Sequence, residues 1–339
     1  MARRRRDGVV MQTMIIFFVV SFGVTLLLAP VVLAVLRRLR AGQAILHYVD
    51  QHTKKSGTPT MGGIIFILPA MVLVPFILGK DTTMSLIVVL ASVGYATLGF
   101  LDDMIKVRTA NNMGLRAYQK IIGQGGIALL VTIFYYMTNP EGRIFIPFAN
   151  AFVDIGFFIA PLVFVGIIAA TNSVNLTDGL DGLAAGVSFV YLFFLSTLML
   201  LLARFNQIPE VNSFVAIAAV TCGALLCFLL FNTNRAAVFM GDTGSLYLGS
   251  LIALLSFFSF LGLFLIILGV MFVVSSVSDI LQVAYFKWTK RKTGTGERIF
   301  LMAPLHHHLE KCGWAEAKIV FLYCAVTIVV GAICVWSVL

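Results

Sequence analysis

The chain has 339 residues, 60% hydrophobic and 12% charged, with a mean hydropathy of +1.00 and a formal net charge of +9. Soluble domains carry about 25% charged residues, so a water-soluble protein is excluded. Apolar runs of near-spanning length recur along the chain, which excludes the weak alternation of a membrane β-barrel and leaves an all-α integral membrane protein.

About ten transmembrane helices are expected, at 11–35, 61–79, 84–101, 121–138, 152–170, 183–203, 214–231, 246–261, 263–286 and 318–338, forming one polytopic domain over 1–339. The first run is too long for a signal-peptide core and lacks a small-residue cleavage site, so no removed targeting segment is expected. Five longer polar segments, 37–60, 102–120, 171–182, 232–245 and 287–318, all emerge on one side. They hold 17 of the 24 Lys and Arg, which places them in the cytoplasm and both termini outside, against the local pull of the arginine run at 3–6. Cys222, Cys227, Cys312, Cys324 and Cys334 form no Cys-x-x-Cys pair and read as neither disulfides nor zinc ligands.

Taken in order, the polar segments carry the chemistry. Lys54-Lys55-Ser-Gly57-Thr58-Pro59-Thr60 opens the second span as a basic, hydroxyl-rich helix entry suited to a phosphate. Asp102 and Asp103 end the third predicted span, where acids oppose the helix dipole and so point to function rather than stability. Lys106, Arg108, Arg116 and Lys120 follow, available to answer phosphate charge. In 171–182 the polar residues Asn172, Asn175, Asp178 and Asp181 recur every third position, a stripe if the segment is helical, with Gly179 and Gly182 loosening the backbone. Phe239-Met240-Gly241-Asp242-Thr243-Gly244-Ser245 is a glycine-flanked turn entering a helix, with Asp242 or Thr243 as its expected cap and Phe239 as a stacking face for a base.

His306, His307 and His308 are consecutive, so at least one must turn away from any common ion, and nucleotide or phosphate contacts fit them better than zinc. Asp279 alone looks intramembrane and carries the competing reading of a transporter. Carboxylates, lysines and glycine turns on one cytoplasmic face suit a Mg²⁺–diphosphate: hard oxygen ligands hold the metal while lysines neutralise phosphates. A membrane location makes the second substrate a lipid, and the chemistry phosphoryl transfer at the bilayer surface.

Four motifs carry a resemblance. Asn-Leu-Thr-Asp-Gly-Leu-Asp-Gly-Leu-Ala at 175–184, Phe-Met-Gly-Asp-Thr-Gly-Ser at 239–245, Leu-Asp-Asp at 101–103 and Ala-Pro-Leu-His-His-His at 303–308 resemble the polyprenyl-phosphate N-acetylhexosamine-1-phosphate transferases. The triple histidine, with Glu310 and Gly313-Trp314 after it, is similar to the phospho-N-acetylmuramoyl-pentapeptide transferase branch. That resemblance implies a bacterial inner-membrane enzyme moving phospho-MurNAc-pentapeptide from UDP-MurNAc-pentapeptide to undecaprenyl phosphate, yielding lipid I and UMP with Mg²⁺. It implies Asp242 as metal ligand, Asp102 and Asp103 as the acids that deprotonate or position the lipid phosphate, and Asn175, Asp178 and Asp181 with Leu176, Gly179 and Phe239 around the nucleotide. Lys55, Thr60, Lys120 and His306, His307 and His308 are implied to line the cleft. The family includes homodimers, and the resemblance implies no nucleic-acid partner. One departure is Arg235, where family members often carry proline.

Overall fold

The computed structural model describes residues 2–39, 57–78, 82–109, 114–203, 208–233 and 235–339, with side chains from residue 11 onward. Lys55 therefore lies outside the described residues. The helices are α1 (Ala2–Arg38), α2 (Ile64–Ile77), α3 (Thr83–Thr109), α4 (Ala117–Thr138), α5 (Ile159–Thr177), α6 (Leu183–Leu202), α7 (Val211–Asn232), α8 (Gly241–Phe258), α9 (Phe264–Ile267), α10 (Val270–Thr293), α11 (Leu305–Lys311) and α12 (Glu316–Trp336). Among the described residues nine helices are long and apolar enough to cross a membrane, and α2 is apolar but only 14 residues long. This is an all-α multi-pass membrane protein.

The boundaries depart from the expected spans where the polar segments pair with one another. Residues 61–63 do not start α2; they join the backbone ahead of α8. The N–H of Phe239 donates to the Pro59 carbonyl at 2.8 Å, and the Gly62 and Gly63 N–H groups donate to the Phe239 and Met240 carbonyls at 2.8 and 2.9 Å. Helix α3 continues two turns beyond residue 101 to Thr109, so Asp102 and Asp103 lie inside it. The premise that they oppose a helix C-terminus is thereby corrected. The span expected at 263–286 divides into the short α9 and an α10 that runs on to Thr293, where Gly294 in the left-handed region (φ +81°) and three basic residues close it.

A hairpin absent from the sequence reading joins α4 to α5. Strands β1 (Arg143–Ile146) and β2 (Ala151–Asp154) pair antiparallel with Arg143 opposite Asp154. Arg143 bridges Asp154 at 3.0 Å and Glu141 at 2.9 Å, and buried Phe145 stacks on Phe264. The hairpin caps the end of the bundle opposite Lys120, which starts α4.

Helix α8 is the most enclosed of the spanning helices. Its small residues, Gly244, Ser245, Gly249, Ser250 and Ser256, let neighbouring backbones close in, as membrane helix packing favours. Helices α3 and α5 flank it, so the polar ends of three helices meet at the start of α8.

Candidate active site

The site grows from the first turn of α8. Gly241 has φ +72°, a conformation glycine adopts without steric cost, and it lies against Asp103 and Thr60 with no room for a side chain. Asp242 follows. Its Oδ1 accepts from the Asn175 amide of α5 at 2.6 Å, and its Oδ2 meets Lys106 of α3 at 3.1 Å and Lys120 of α4 at 2.7 Å. Three helices thus converge on one carboxylate. Asn175 also donates to Ser245 Oγ at 2.8 Å, which fixes its orientation.

Asp102 and Asp103 approach the same point from α3 and are both buried. Asp102 Oδ1 accepts the Leu115 N–H at 2.7 Å and Oδ2 pairs with Lys106 at 2.6 Å. Asp103 accepts the N–H groups of Asp242 and Thr243 and the Thr243 hydroxyl. Carboxylate oxygens of Asp102, Asp103 and Asp242 lie within 4.8 Å of one another. Hard oxygen donors in such a cluster fit a small divalent cation.

The stripe expected over 172–181 does not exist, because α5 ends at Thr177. Asn172 turns to α4 instead, donating to Gln124 Oε1 and the Ile168 carbonyl, both at 2.8 Å. Asp181 reaches across to the loop before α8, accepting the Ala236 N–H at 3.0 Å. Asp178 lies between them at the end of α5. Burial, then the charges of Asp242, Asp103 and Asp181, push its carboxyl well above the ordinary carboxylate range. Leu176 and Phe239 are half-buried beside this turn, and Thr60 is buried next to Gly241.

The histidines occupy α11, and two of them join the 175–182 turn. The rings of His306 and His307 pack against Gly179, 4.4 Å apart between centroids. His307 Nδ1 lies 3.1 Å from Glu310. His306 is fully buried, neither of its ring nitrogens has a partner among the described residues, and burial with the charge of His307 holds its pKa down at about 3. His308 turns away and accepts the Leu301 N–H at 3.1 Å. Asp279 stands apart from this cluster, lining a cavity of about 530 Å³ with Lys287, Arg298 and Lys311. It faces a basic recess, which does not suit an isolated transport carboxylate.

Two residues that hold the site together belong to none of the sequence motifs. Asn232 ends α7, accepting the Gly182 N–H at 3.0 Å and donating to the Val238 carbonyl at 2.9 Å, and so ties two of the motifs. Gln124 ties α4 to α3 and α5, its backbone carbonyl accepting the Tyr95 hydroxyl at 2.8 Å and its side-chain Oε1 the Asn172 amide. A polar residue inside an apolar helix is the cue that could have found them.

Known proteins share this arrangement of sequence. The pattern described as Glycosyl transferase family 4 matches residues 85–260, and the phospho-N-acetylmuramoyl-pentapeptide-transferase signature 1 matches residues 55–67. A Clostridium botulinum protein named phospho-N-acetylmuramoyl-pentapeptide-transferase is 41% identical over 322 residues, covering 94% of each chain. Proteins of the same name from Geobacillus kaustophilus and Clostridioides difficile are 42% and 36% identical, over 93% and 94% of this chain and 94% and 96% of their own.

Proposed function

Because this chain belongs to the phospho-N-acetylmuramoyl-pentapeptide-transferase family within Glycosyl transferase family 4, we propose that the Asp242 cluster transfers phospho-MurNAc-pentapeptide from UDP-MurNAc-pentapeptide to undecaprenyl phosphate. The products are lipid I and UMP, made at the cytoplasmic face of a bacterial inner membrane. The observation that carries the reading is the meeting of Lys106 of α3, Lys120 of α4 and Asn175 of α5 on one carboxylate at the start of α8. An arrangement of anion-binding and cation-binding groups around one point is what a metal–diphosphate requires.

Asp242, with Asp102 beside it, would hold Mg²⁺, which would supply neutralisation of the diphosphate. Lys106 and Lys120 stand ready to exchange their carboxylate partner for phosphate oxygens. The acceptor phosphate, with a second pKa of about 6, is largely dianionic at neutral pH and needs little help from a base. One of its oxygens attacks the β-phosphorus in line. The bond from that phosphorus to the bridging oxygen breaks, and UMP leaves with the electron pair. Asn175, Asp178 and Asp181 contact the nucleotide, with Leu176, Gly179 and Phe239 framing the base. Burial favours the protonated form of Asp178, which can therefore donate as well as accept. Thr60, His306 and His307 line the cleft, whereas His308 turns away to the Leu301 N–H. Asn172 acts at one remove, by bracing α5 against α4.

The test is UMP release by purified protein with undecaprenyl phosphate and either UDP-MurNAc-pentapeptide or UDP-N-acetylglucosamine, with and without Mg²⁺. Magnesium-dependent release from the muramoyl donor alone is expected. Release from the N-acetylglucosamine donor alone overturns the substrate, and an aspartyl sugar-phosphate trapped without lipid overturns the one-step route.

A further inference from the structure

The two adjacent acids of α3 do different work, and the hydrogen bonds separate them. Asp103 Oδ1 accepts the Asp242 N–H at 3.1 Å, and Oδ2 accepts the Thr243 N–H at 2.9 Å and the Thr243 hydroxyl at 2.7 Å. These N–H groups belong to the first turn of α8, where a helix has no partners of its own for them. Met240, at the cap position, offers no side-chain oxygen, so the cap comes from another helix. Carboxylate charge is also favourable at a helix N-terminus.

We propose that Asp103 is a positioning residue for the phosphoryl transfer: it caps α8 from α3 and fixes the backbone of Asp242, while Asp102 is the acid of the pair left to face the reacting groups. This inference rests on the transferase reading above. A residue that touches the reacting groups needs a polar atom free to face them. Asp103 is only 2% exposed and both its oxygens already accept α8 donors. Asp102 is equally buried and its Oδ1 accepts the Leu115 N–H, but its Oδ2 faces the Lys106 ammonium that also meets Asp242, so it binds a side chain of the cluster and not the α8 backbone. Close helix approach makes the trans cap feasible, because Gly99, one turn before Asp103, lies against the Asp242 carbonyl where any Cβ would collide. Asp242 is thus held through its own N–H, and that aims its side chain at Lys106, Lys120 and Asn175.

Hydrogen exchange at the first turn of α8 and UMP release, measured on the same purified full-length variants, test this. Asp103→Asn is expected to speed exchange at Asp242 and Thr243 about tenfold, and to lower kcat with it, as loss of a helix cap would. Asp102→Asn is expected to lower kcat without changing that exchange. Thr243→Val removes one donor to Asp103 and is expected to lower kcat several-fold, with little further loss when combined with Asp103→Asn. It also keeps the test open if Asp103→Asn does not fold. Unchanged exchange in Asp103→Asn, or full activity in Thr243→Val, overturns the positioning role. No UMP release by the wild-type protein from either donor would fail the transferase reading itself, a separate outcome.

Discussion

At the scale of single residues, charge and burial set the behaviour of the site. Lys120 lies 2.7 Å from Asp242, and with Lys106 it offsets three neighbouring carboxylates. Lys120→Met should therefore lower kcat about 100-fold, the order found when one positioned donor is lost from a transition state. Steady-state UMP release checks it, and a rate within about twofold of wild type would remove Lys120 from the mechanism. His306 gives a pH signature. Its folded pKa of about 3 lies below the ordinary 6.5, so the unfolded chain binds the extra proton as pH falls. Stability from this residue is complete above pH ~6.5 and is lost progressively down towards about 3. Melting temperatures between pH 7 and 5 should fall less steeply in His306→Gln than in the wild-type protein. Arg235 adopts φ +71°, which the ring of proline forbids, so this backbone suits the residue that departs from the family pattern.

At the scale of elements, α3 is tied to its neighbours by carboxylates acting between helices. Glu210, just before α7, accepts the Met84 and Ser85 N–H groups at 2.9 and 2.7 Å, and so caps α3 as Asp103 caps α8. Glu210→Ala should cost about 1 kcal/mol of stability, the usual value of a helix cap, while activity per folded molecule stays unchanged. Thermal unfolding paired with UMP release checks this; a loss of turnover without loss of stability would contradict it. These caps explain which parts of the fold could be read in advance. Apolar runs of helical length marked nearly all the spans, because burial in lipid needs little beyond length and composition. The extension of α3 to Thr109 and the end of α5 at Thr177 were not legible. Both depend on partners far away in the chain, Leu115 and Asp242 for the acids of α3, Asn232 for the turn after α5. The β1–β2 hairpin escaped notice because four-residue strands carry too little periodicity.

At the scale of the whole molecule, the alternation of spans brings motifs from 60, 102–103, 175–182, 239–245 and 306–307 to one face. The residue types of the site were legible because polar groups at a membrane border stand out against their apolar setting. Their pairings were not: Asn172 leaves the cluster, and Asp103 turns to a backbone rather than to open space. The orientation of this face has its own test. Cys312, next to the histidines on α11, is the exposed cysteine. A membrane-impermeant maleimide should label it in inverted vesicles and not in intact cells, and the opposite pattern would reverse the topology. The central claim is that the Asp242 cluster carries the reaction. It is tested most directly by magnesium-dependent UMP release from UDP-MurNAc-pentapeptide in Asp242→Asn and Asp279→Asn, each first shown to be folded. Turnover should be abolished in Asp242→Asn and preserved in Asp279→Asn; turnover that survives in the first and disappears in the second would contradict the account.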